Sequence, residues 1–399
     1  MATVIFVLDA FRASYISKEN TPYLWDMKKH REFYKVKPAF GFCERSEIFS
    51  GLTPEESNNF TAIGYDPLNS PYKNIRHFFY FINKILPKNQ DNHITKFSRK
   101  VINKVCKSLN FSLGLYRIPL SDICDYRLTE DRYELTSNKN DAFLPFIKSI
   151  GKKEQVFTKS FTSLNDNFSL TDEERLNICL DNAKNDDFSH YIVYVSAADT
   201  IGHKFGPDSE EMKDCVSNID RNLKSFIKEF TLARPKSRFV FIGDHGMANV
   251  KRKINIQEVV DEIIIGTGLK YRKDITYFLD STLARFWFKD KQIEKTFLDE
   301  FYQVDNVRQH GVIIKRSDFN KYGIPSEDRL YGDVIWSSNI GGLIWPDFFH
   351  NNVNQPPVGM HGYFESNEEL IGFYMDISSN KKTTKSSINL HNTFDLIRK

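Results

Sequence analysis

The sequence has no long hydrophobic run. No window of its 399 residues approaches the roughly 18 uncharged apolar residues of a membrane-spanning helix. The first apolar run, Thr3 to Leu8, begins at once and is followed by Asp9, whereas a signal peptide has a basic start and a longer apolar stretch. We therefore interpret this run as a buried strand. We expect a soluble, cytoplasmic protein, which is compatible with an enzyme that works at the cytoplasmic face of a membrane.

Cysteine is scarce and has no regular spacing. The chain has five cysteines, an odd number, and none is in a CxxC pair: Cys43, Cys106, Cys124, Cys179 and Cys215. This distribution fits a reducing compartment better than a disulfide framework.

Positive and negative side chains are nearly equal in number. A formal net charge of +3 is too small to indicate a nucleic-acid partner. Aromatic residues, in contrast, make up 14% of the chain, far from the aromatic-poor composition of disordered proteins. The composition is that of a folded protein and indicates no oligomeric state.

Short apolar runs recur along the chain. Thr3 to Leu8, Tyr191 to Ser196 and Arg238 to Gly243 are apolar apart from one terminal residue each, which is typical of strands buried on both faces of a parallel sheet. Ser209 to Phe230 has apolar residues at helical spacing and ends shortly before the third run. This order predicts an α/β fold with a central, mainly parallel sheet between helices.

Two segments depart from the alternating pattern. Residues 66–140 are rich in Lys, Asn and Phe and have no strand-like alternation, so we predict a mostly helical insertion whose Phe and Tyr side chains form an ordinary core face. The α/β pattern resumes with a helix over Phe143 to Ile150 and a strand over Gln155 to Phe161. A small α+β subdomain is predicted over 264–345, within a single catalytic domain that spans 1–399.

Acidic and histidine side chains follow the apolar runs. Such positions lie at the carboxyl ends of strands, where open α/β sheets bind ligands, and Asp199 and His203 share a face of one helical turn. Asp and His without Cys suit zinc or manganese, and two such ions could hold the attacking and leaving oxygens of a phosphoryl transfer. The candidate ligands are Asp9, Asp199, His203, Asp244, His245 and His361.

Several motifs together resemble one family. They are VLDAFRASYISKENTPYL, FSGLTPEESNNFTAIGYDP, YVSAADTIGHKFGP, FIGDHGM, GDVIW and GMHGYF, in this order. Their order and content resemble the type I phosphodiesterase/nucleotide pyrophosphatase branch of the alkaline phosphatase superfamily. The resemblance implies an alkaline-phosphatase-like fold and two divalent metal ions. It also implies that Asp199, His203 and His361 bind one ion, whereas Asp9, Asp244 and His245 bind the other.

The resemblance fails at the nucleophile. The family has a Thr or Ser ten residues before the glycine that corresponds to Gly51, and that count ends on Gly41, which has no side chain. Three alternatives remain open: the Cys43 thiolate at a helix N-terminus, Ser46 one turn later, or hydroxide on a metal with no protein nucleophile.

A charged pair, Glu44 and Arg45, also departs from the family motif. Arg45 lies four residues after Gly41. The related sulfatases have an arginine at the same distance after their modified cysteine. We expect Arg45 either to clamp phosphate oxygens or to form a surface salt bridge. The sulfatase reaction is disfavoured, because the residues after Cys43 lack the spacing that sulfatase maturation recognises.

The function predicted from these residues is two-metal hydrolysis of a phosphate mono- or diester, with zinc as the first choice and manganese as the second. The substrate would be a phosphorylated small molecule such as a nucleotide, or a glycan or lipid-headgroup phosphate. The alternatives are a phosphotransferase or mutase on the same scaffold, and a metal-retaining pseudoenzyme that binds a phosphorylated ligand.

Overall fold

Strands and helices alternate in the computed structural model, which describes residues 2–87, 92–109, 111, 113–129, 145–150, 156–161, 170–364, 367–380 and 386–398. The strands are β1 (Thr3–Leu8), β2 (Glu32–Lys37), β3 (Ile63–Tyr65), β4 (Tyr126–Leu128), β5 (Val156–Ser160), β6 (His190–Val195), β7 (Arg238–Gly243), β8 (Ala248–Asn249), β9 (Arg252–Ile254), β10 (Ile275–Leu279), β11 (Leu283–Phe288), β12 (Gly311–Lys315), β13 (Val334–Ser338), β14 (Gly342–Ile344), β15 (Gly359–Met360), β16 (Gly372–Asp376) and β17 (Ser387–Asn389). The α-helices are α1 (Pro22–His30), α2 (Glu44–Ser50), α3 (Pro54–Ser57), α4 (Arg76–Ile85), α5 (His93–Ser108), α6 (Pro145–Ile150), α7 (Asp172–Asn185), α8 (Ala197–Phe205), α9 (Glu210–Ala233), α10 (Ile256–Thr267), α11 (Lys291–Phe301), α12 (Asp305–His310) and α13 (Thr393–Ile397).

The central sheet has seven strands in the order β17-β2-β16-β7-β1-β6-β5. Strand β1 pairs in parallel with β6 on one side and β7 on the other, and only β16 runs antiparallel to its two neighbours. Every residue of β1 is buried, as expected for a continuous apolar run at the centre of a parallel sheet. The prediction of a mainly parallel sheet is therefore confirmed.

Helices cover both faces of this sheet because side chains alternate along its strands. Val4, Phe6 and Leu8 point into one apolar cluster, where the ring of Phe6 lies 5.2 Å from that of Phe226 on α9. Ile5 and Val7 point into another cluster, which α2, α6 and α13 complete. The predicted helix over Ser209 to Phe230 is α9, and Ser209 caps it by accepting a hydrogen bond from the Met212 amide.

A second sheet, entirely antiparallel, has the order β10-β11-β13-β12 and lies within the predicted α+β segment. It shares a large apolar cluster with α4 and α5 from the predicted insertion. Phe79 packs in that cluster as expected, whereas Phe78, Phe81 and Phe97 are exposed. The boundaries of both segments stay predictions, and residues 130–140 of the insertion lie outside the described residues.

In the described part of the chain, none of the helices combines the length and the apolar character needed to cross a membrane.

One buried ion pair ties the second sheet to the segment before the insertion. Arg285 donates from Nε to Asp280 at 2.7 Å and from a terminal nitrogen to the Ile63 carbonyl oxygen at 2.8 Å. The two charged side chains are 0% and 1% exposed. Burial raises the pKa of Asp280 to about 6, with the charge of Arg285 acting against that rise.

We predict that Arg285→Met lowers the free energy of unfolding by about 3–5 kcal/mol, because it leaves Asp280 buried without its cation. Urea unfolding followed by circular dichroism measures this loss. Arg308→Met is the matched control, since Arg308 pairs with Asp305 at the surface and should cost less than about 1 kcal/mol. Equal losses of unfolding free energy in the two variants would contradict the conclusion that Arg285 and Asp280 form a stabilising buried ion pair.

Candidate active site

The strand register brings acidic side chains to one edge of the central sheet. Leu8 pairs with both Val195 and Gly243, so the residues that follow β1, β6 and β7 emerge together. Asp9 follows β1, and Asp244 follows β7. The Asp244 carboxylate accepts hydrogen bonds from the Ala10 amide at 3.1 Å and the His245 amide at 2.9 Å. These bonds fix Asp244 beside the start of the loop after β1.

Helix α8 and a short two-stranded sheet supply the other candidate ligands. Asp199 and His203 lie one turn apart on α8, and the Nε2 atom of His203 is 3.1 Å from Asp199 Oδ1. The Nδ1 atom of His203 donates to the Gly359 carbonyl oxygen at 2.8 Å, which directs Nε2 toward Asp199. Strand β15, which pairs with β8, carries the chain directly to His361.

These side chains form one continuous cluster. Three groups of side chains each offer ligand atoms that lie within 4.8 Å of one another: Asp199 with His203 and His361, Asp9 with Asp199 and His245, and Glu44 with His245 and His361. The imidazole rings of His245 and His361 stack at 3.9 Å. Asp244 adjoins the cluster, with its Oδ1 atom 3.8 Å from His245 Nε2.

Burial and mutual charge shift the pKa of most of these groups. Burial raises the pKa of Asp244 to about 8, although the charge of His245 opposes it. Burial acts to lower the pKa of His245, but the charge of Asp244 and a hydrogen bond to Asp9 outweigh it and raise that pKa well above its ordinary value. Burial and the neighbouring charge of His245 lower the pKa of His361. The groups therefore compete for protons.

Asp199 differs from Asp244 because histidines face it. Burial acts to raise the pKa of Asp199, but the charge and hydrogen bond of His203 and the charge of His361 outweigh it and hold that pKa below its usual range. The pKa of His203 is raised in turn, since Asp199 outweighs the effect of burial.

The residues fit a divalent metal. His361 Nδ1 is buried and has no hydrogen-bond partner among the described residues, so it has a lone pair to offer. Carboxylate and imidazole are the donors that zinc and manganese take in the absence of cysteine. A divalent cation would also favour ionised carboxylates and neutral imidazoles, which removes the competition for protons.

Glu44 is the residue at this site to which the sequence assigned no role. It is the first residue of α2, and its Oε1 atom lies 3.9 Å from His361 Nδ1. Burial raises the pKa of Glu44 to about 7, and the charge of His245 acts against that rise. It lines a cleft beside the cluster together with Phe40, Gly41, His245, His361 and Phe364. The signal for Glu44 in the sequence was its charge, because the family motif has no charged residue at this position.

Gly41 has no room for the side chain that the family places there. Its φ is +108°, and a Cβ atom would lie 2.3 Å from the Phe60 carbonyl oxygen. That same oxygen accepts a hydrogen bond from the Phe42 amide at 2.9 Å, so it is fixed. The backbone of this turn therefore requires glycine.

Cys43 and Ser46, the two predicted protein nucleophiles, lie beside this turn. Cys43 is the N-cap residue of α2 and is 3% exposed, and its Sγ atom lies 3.9 Å from the Phe40 carbonyl oxygen. Ser46 is buried, and its Oγ atom has no hydrogen-bond partner among the described residues. The described lining of the cleft includes neither residue. Their roles stay predictions.

Arg45 reaches the cluster through a tyrosine. It donates to the Tyr194 hydroxyl oxygen at 2.9 Å, and its guanidinium lies 4.9 Å from the centre of the Tyr194 ring. The Tyr194 hydroxyl in turn donates to Asp9 Oδ2. Arg45 therefore contacts a side chain that orients Asp9, and its contact with substrate stays a prediction.

We predict that Gly41→Ala lowers the free energy of unfolding by about 1–3 kcal/mol, because the turn must shift to accept a Cβ atom at positive φ. Gly266→Ala is the control: nothing lies within 4 Å of its added Cβ, and it lies in helix α10. There alanine should be neutral or stabilising. Urea unfolding of both variants measures the difference, and full stability of Gly41→Ala would contradict the requirement for glycine.

Comparison with known proteins agrees with the predicted family and fold. The family model for type I phosphodiesterase/nucleotide pyrophosphatase matches residues 3–363. The ectonucleotide pyrophosphatase/phosphodiesterase family member 7 of Mus musculus is 37% identical over 198 residues, which are 45% of this chain and 39% of that protein. The Rattus norvegicus counterpart is 37% identical over 71 residues, 17% of this chain and 16% of that protein. The chain thus aligns with well under half of each relative.

Solved structures show the same fold at low identity. Murine ectonucleotide pyrophosphatase/phosphodiesterase 5 has a TM-score of 0.64 at 16% identity, covering 100% of this chain and 94% of that one. An inactive variant of the same murine protein in complex with AMP has a TM-score of 0.65, also at 16% identity, with the same coverage of both chains. The fold is therefore alkaline-phosphatase-like. With the family model matched over 3–363, the chain belongs to the type I phosphodiesterase/nucleotide pyrophosphatase family of metal-dependent phosphate-ester hydrolases.

Proposed function

We propose that this protein hydrolyses phosphate diesters with two divalent metal ions. Zinc is the first choice for these ions, and manganese is the second. The observation that carries the proposal is the cluster of carboxylates and imidazoles from distant parts of the chain, which forms three overlapping groups with ligand atoms within 4.8 Å of one another in each group. Family membership supports phosphate-ester hydrolysis. Such a donor set matches what two-metal phosphoryl transfer requires.

Asp199, His203 and His361 would hold one ion, and Asp9, Asp244 and His245 would hold the other. When bound, such ions polarise phosphoryl oxygens and stabilise the charge on the leaving oxygen. The chain orients its own ligands: Gly359 holds His203 through a hydrogen bond at 2.8 Å, and the Gly246 carbonyl holds His245 at 2.7 Å. Tyr194 and Arg45 orient Asp9 in the same way.

Attack by water, assisted by Glu44, is the mechanism that the cleft supports best. Glu44 lines the cleft at the start of α2, whereas Cys43 is turned toward the Phe40 carbonyl. In this step the water oxygen bonds to phosphorus while the Glu44 carboxylate takes a proton from that water. The bond from phosphorus to the leaving oxygen breaks at the same time. The reaction would then be a direct displacement without a covalent phospho-enzyme. This fits the turn at Gly41, which has glycine where the family has its hydroxyl.

The substrate we propose has a nucleotide-type leaving group. The relatives are named nucleotide pyrophosphatases/phosphodiesterases, and the structure of the murine relative contains AMP. Phe40 and Phe364 line the cleft, and aromatic rings of this kind stack on planar groups such as nucleobases.

The metal proposal is tested by elemental analysis and turnover of the purified protein. We expect bound zinc or manganese, and faster hydrolysis of bis(p-nitrophenyl) phosphate than of p-nitrophenyl phosphate. Asp199→Asn should lose metal and activity together, because it removes the carboxylate that two of the ligand groups share. Asp305→Asn, at the exposed start of α12, is the control. Full metal content and full activity in Asp199→Asn would overturn the proposal.

The attacking group is tested by three substitutions. Glu44→Gln keeps the shape of the side chain and removes its base, so we expect turnover to fall by about 100-fold or more with metal content unchanged. Cys43→Ala and Ser46→Ala should retain most of the activity. Loss of metal in Glu44→Gln would make Glu44 a ligand instead, and loss of activity confined to Cys43→Ala or Ser46→Ala would identify that residue as the nucleophile.

A metal-retaining pseudoenzyme is the second candidate function, and the turn at Gly41 is the observation that favours it. This protein would bind a phosphorylated ligand in the cleft without turnover. Binding of AMP by calorimetry, with no hydrolysis of either chromogenic ester, would support this candidate. Transfer of the phosphoryl group to an added alcohol would instead indicate a phosphotransferase.

A further inference from the structure

Helices α4 and α5 expose a row of large apolar side chains. Phe97 is 70% exposed and Phe81 is 61% exposed, although most large apolar residues of the described chain are buried. On α5 the exposed positions recur every three or four residues, which places them on one face of the helix. We call this set the apolar stripe: Phe78, Phe81, Ile85, Ile94, Phe97, Val101 and Val105.

The apolar stripe is not the face by which these helices pack on the protein. Phe79 on α4 and Cys106 on α5 are buried in the large apolar cluster, and Ile82 and Ile102 pack against it. Each helix therefore has one apolar face inside the protein and another directed outward. Contiguous exposed apolar surface of this kind marks an interaction site.

Positive charge is concentrated around the apolar stripe. Between Pro67 and Ser121 the sequence has ten lysine and arginine residues and a single acidic residue, although the whole chain has a net charge of only +3. Lys100 and Lys104 are exposed on α5 one turn apart, next to Phe97 and Val101 in the sequence. The remainder of the chain is therefore net acidic, and this segment is the basic one.

We propose that α4 and α5 dock this protein on the surface of an anionic phospholipid bilayer. The apolar stripe would enter the boundary between headgroups and acyl chains, and Lys100 and Lys104 would face the headgroups. An amphipathic helix with apolar residues on one face and lysines at its flank lies in the membrane interface in this manner. The inference does not depend on the hydrolytic activity.

Charge selects the bilayer over other occupants of this surface. A second copy of the chain docked through the same face would bring two basic segments together, and like charges repel at short distance. An anionic lipid surface neutralises the same lysines and at the same time covers the apolar stripe. No other surface satisfies both features so directly.

Sedimentation of the full-length protein with vesicles tests this inference. We expect binding to vesicles of phosphatidylcholine with phosphatidylglycerol, weaker binding to phosphatidylcholine alone, and a decrease at high salt. Phe97→Ser/Val101→Ser should weaken binding to the anionic vesicles by about tenfold or more, because it removes inserted apolar surface. Lys100→Met/Lys104→Met should weaken it by about tenfold while keeping the weaker binding to neutral vesicles.

Matched substitutions elsewhere provide the controls. Leu232→Ser/Ile265→Ser removes two exposed apolar side chains from α9 and α10, and Lys224→Met/Lys228→Met removes two exposed lysines one turn apart on α9. Both should bind vesicles like the unchanged protein, as should Asp199→Asn. Absence of vesicle binding, equal binding to both vesicle types, equal effects of test and control variants, or a dimer that the apolar substitution dissociates would overturn the inference.

Discussion

Parallel hydrogen bonding of β1 with β6 and β7 is the constraint on which the site depends. The pairing aligns Leu8 with Val195 and Gly243, so that Asp9 and Asp244 leave the sheet side by side and α8 starts directly beyond β6. A slip of one residue would exchange the two faces of β1, which pack on different apolar clusters. The core on both faces therefore fixes the positions of the acidic side chains.

Bringing the ionisable side chains of the candidate active site together opposes folding unless their charges are compensated. Asp244, His245 and His361 are buried together, and each shifts the pKa of another away from its ordinary value. Burial of several ionisable groups is costly unless they are paired or coordinate a metal. The orphaned Nδ1 atom of His361 indicates that the compensation is incomplete within the protein itself. A cation bound here would therefore stabilise this end of the sheet.

The sequence predicted the sheet and its acidic edge because both depend on local patterns. Thr3–Leu8 and Arg238–Gly243 are apolar after their first residue, and Asp9 and Asp244 follow them directly. The α+β segment was harder to predict because its order, β10-β11-β13-β12, depends on long-range pairing. Glu44 had no such pattern. Its place in the cleft follows from the packing of α2 against the turn at Leu390–Asn392 and against α13, and from the chain's return to His361.

Glu44 and Gly41 are parts of one local arrangement. The turn at Gly41 approaches the Phe60 carbonyl so closely that no side chain fits, and α2 begins three residues later with a carboxylate directed toward His361. A hydroxyl at the family position would have to displace Phe60, whereas a carboxylate one turn further reaches the same cleft without strain. In the proposed mechanism this carboxylate takes a proton from water and forms no bond to phosphorus itself. The turn at Gly41 and the start of α2 are therefore the local features on which the proposal of direct hydrolysis rests.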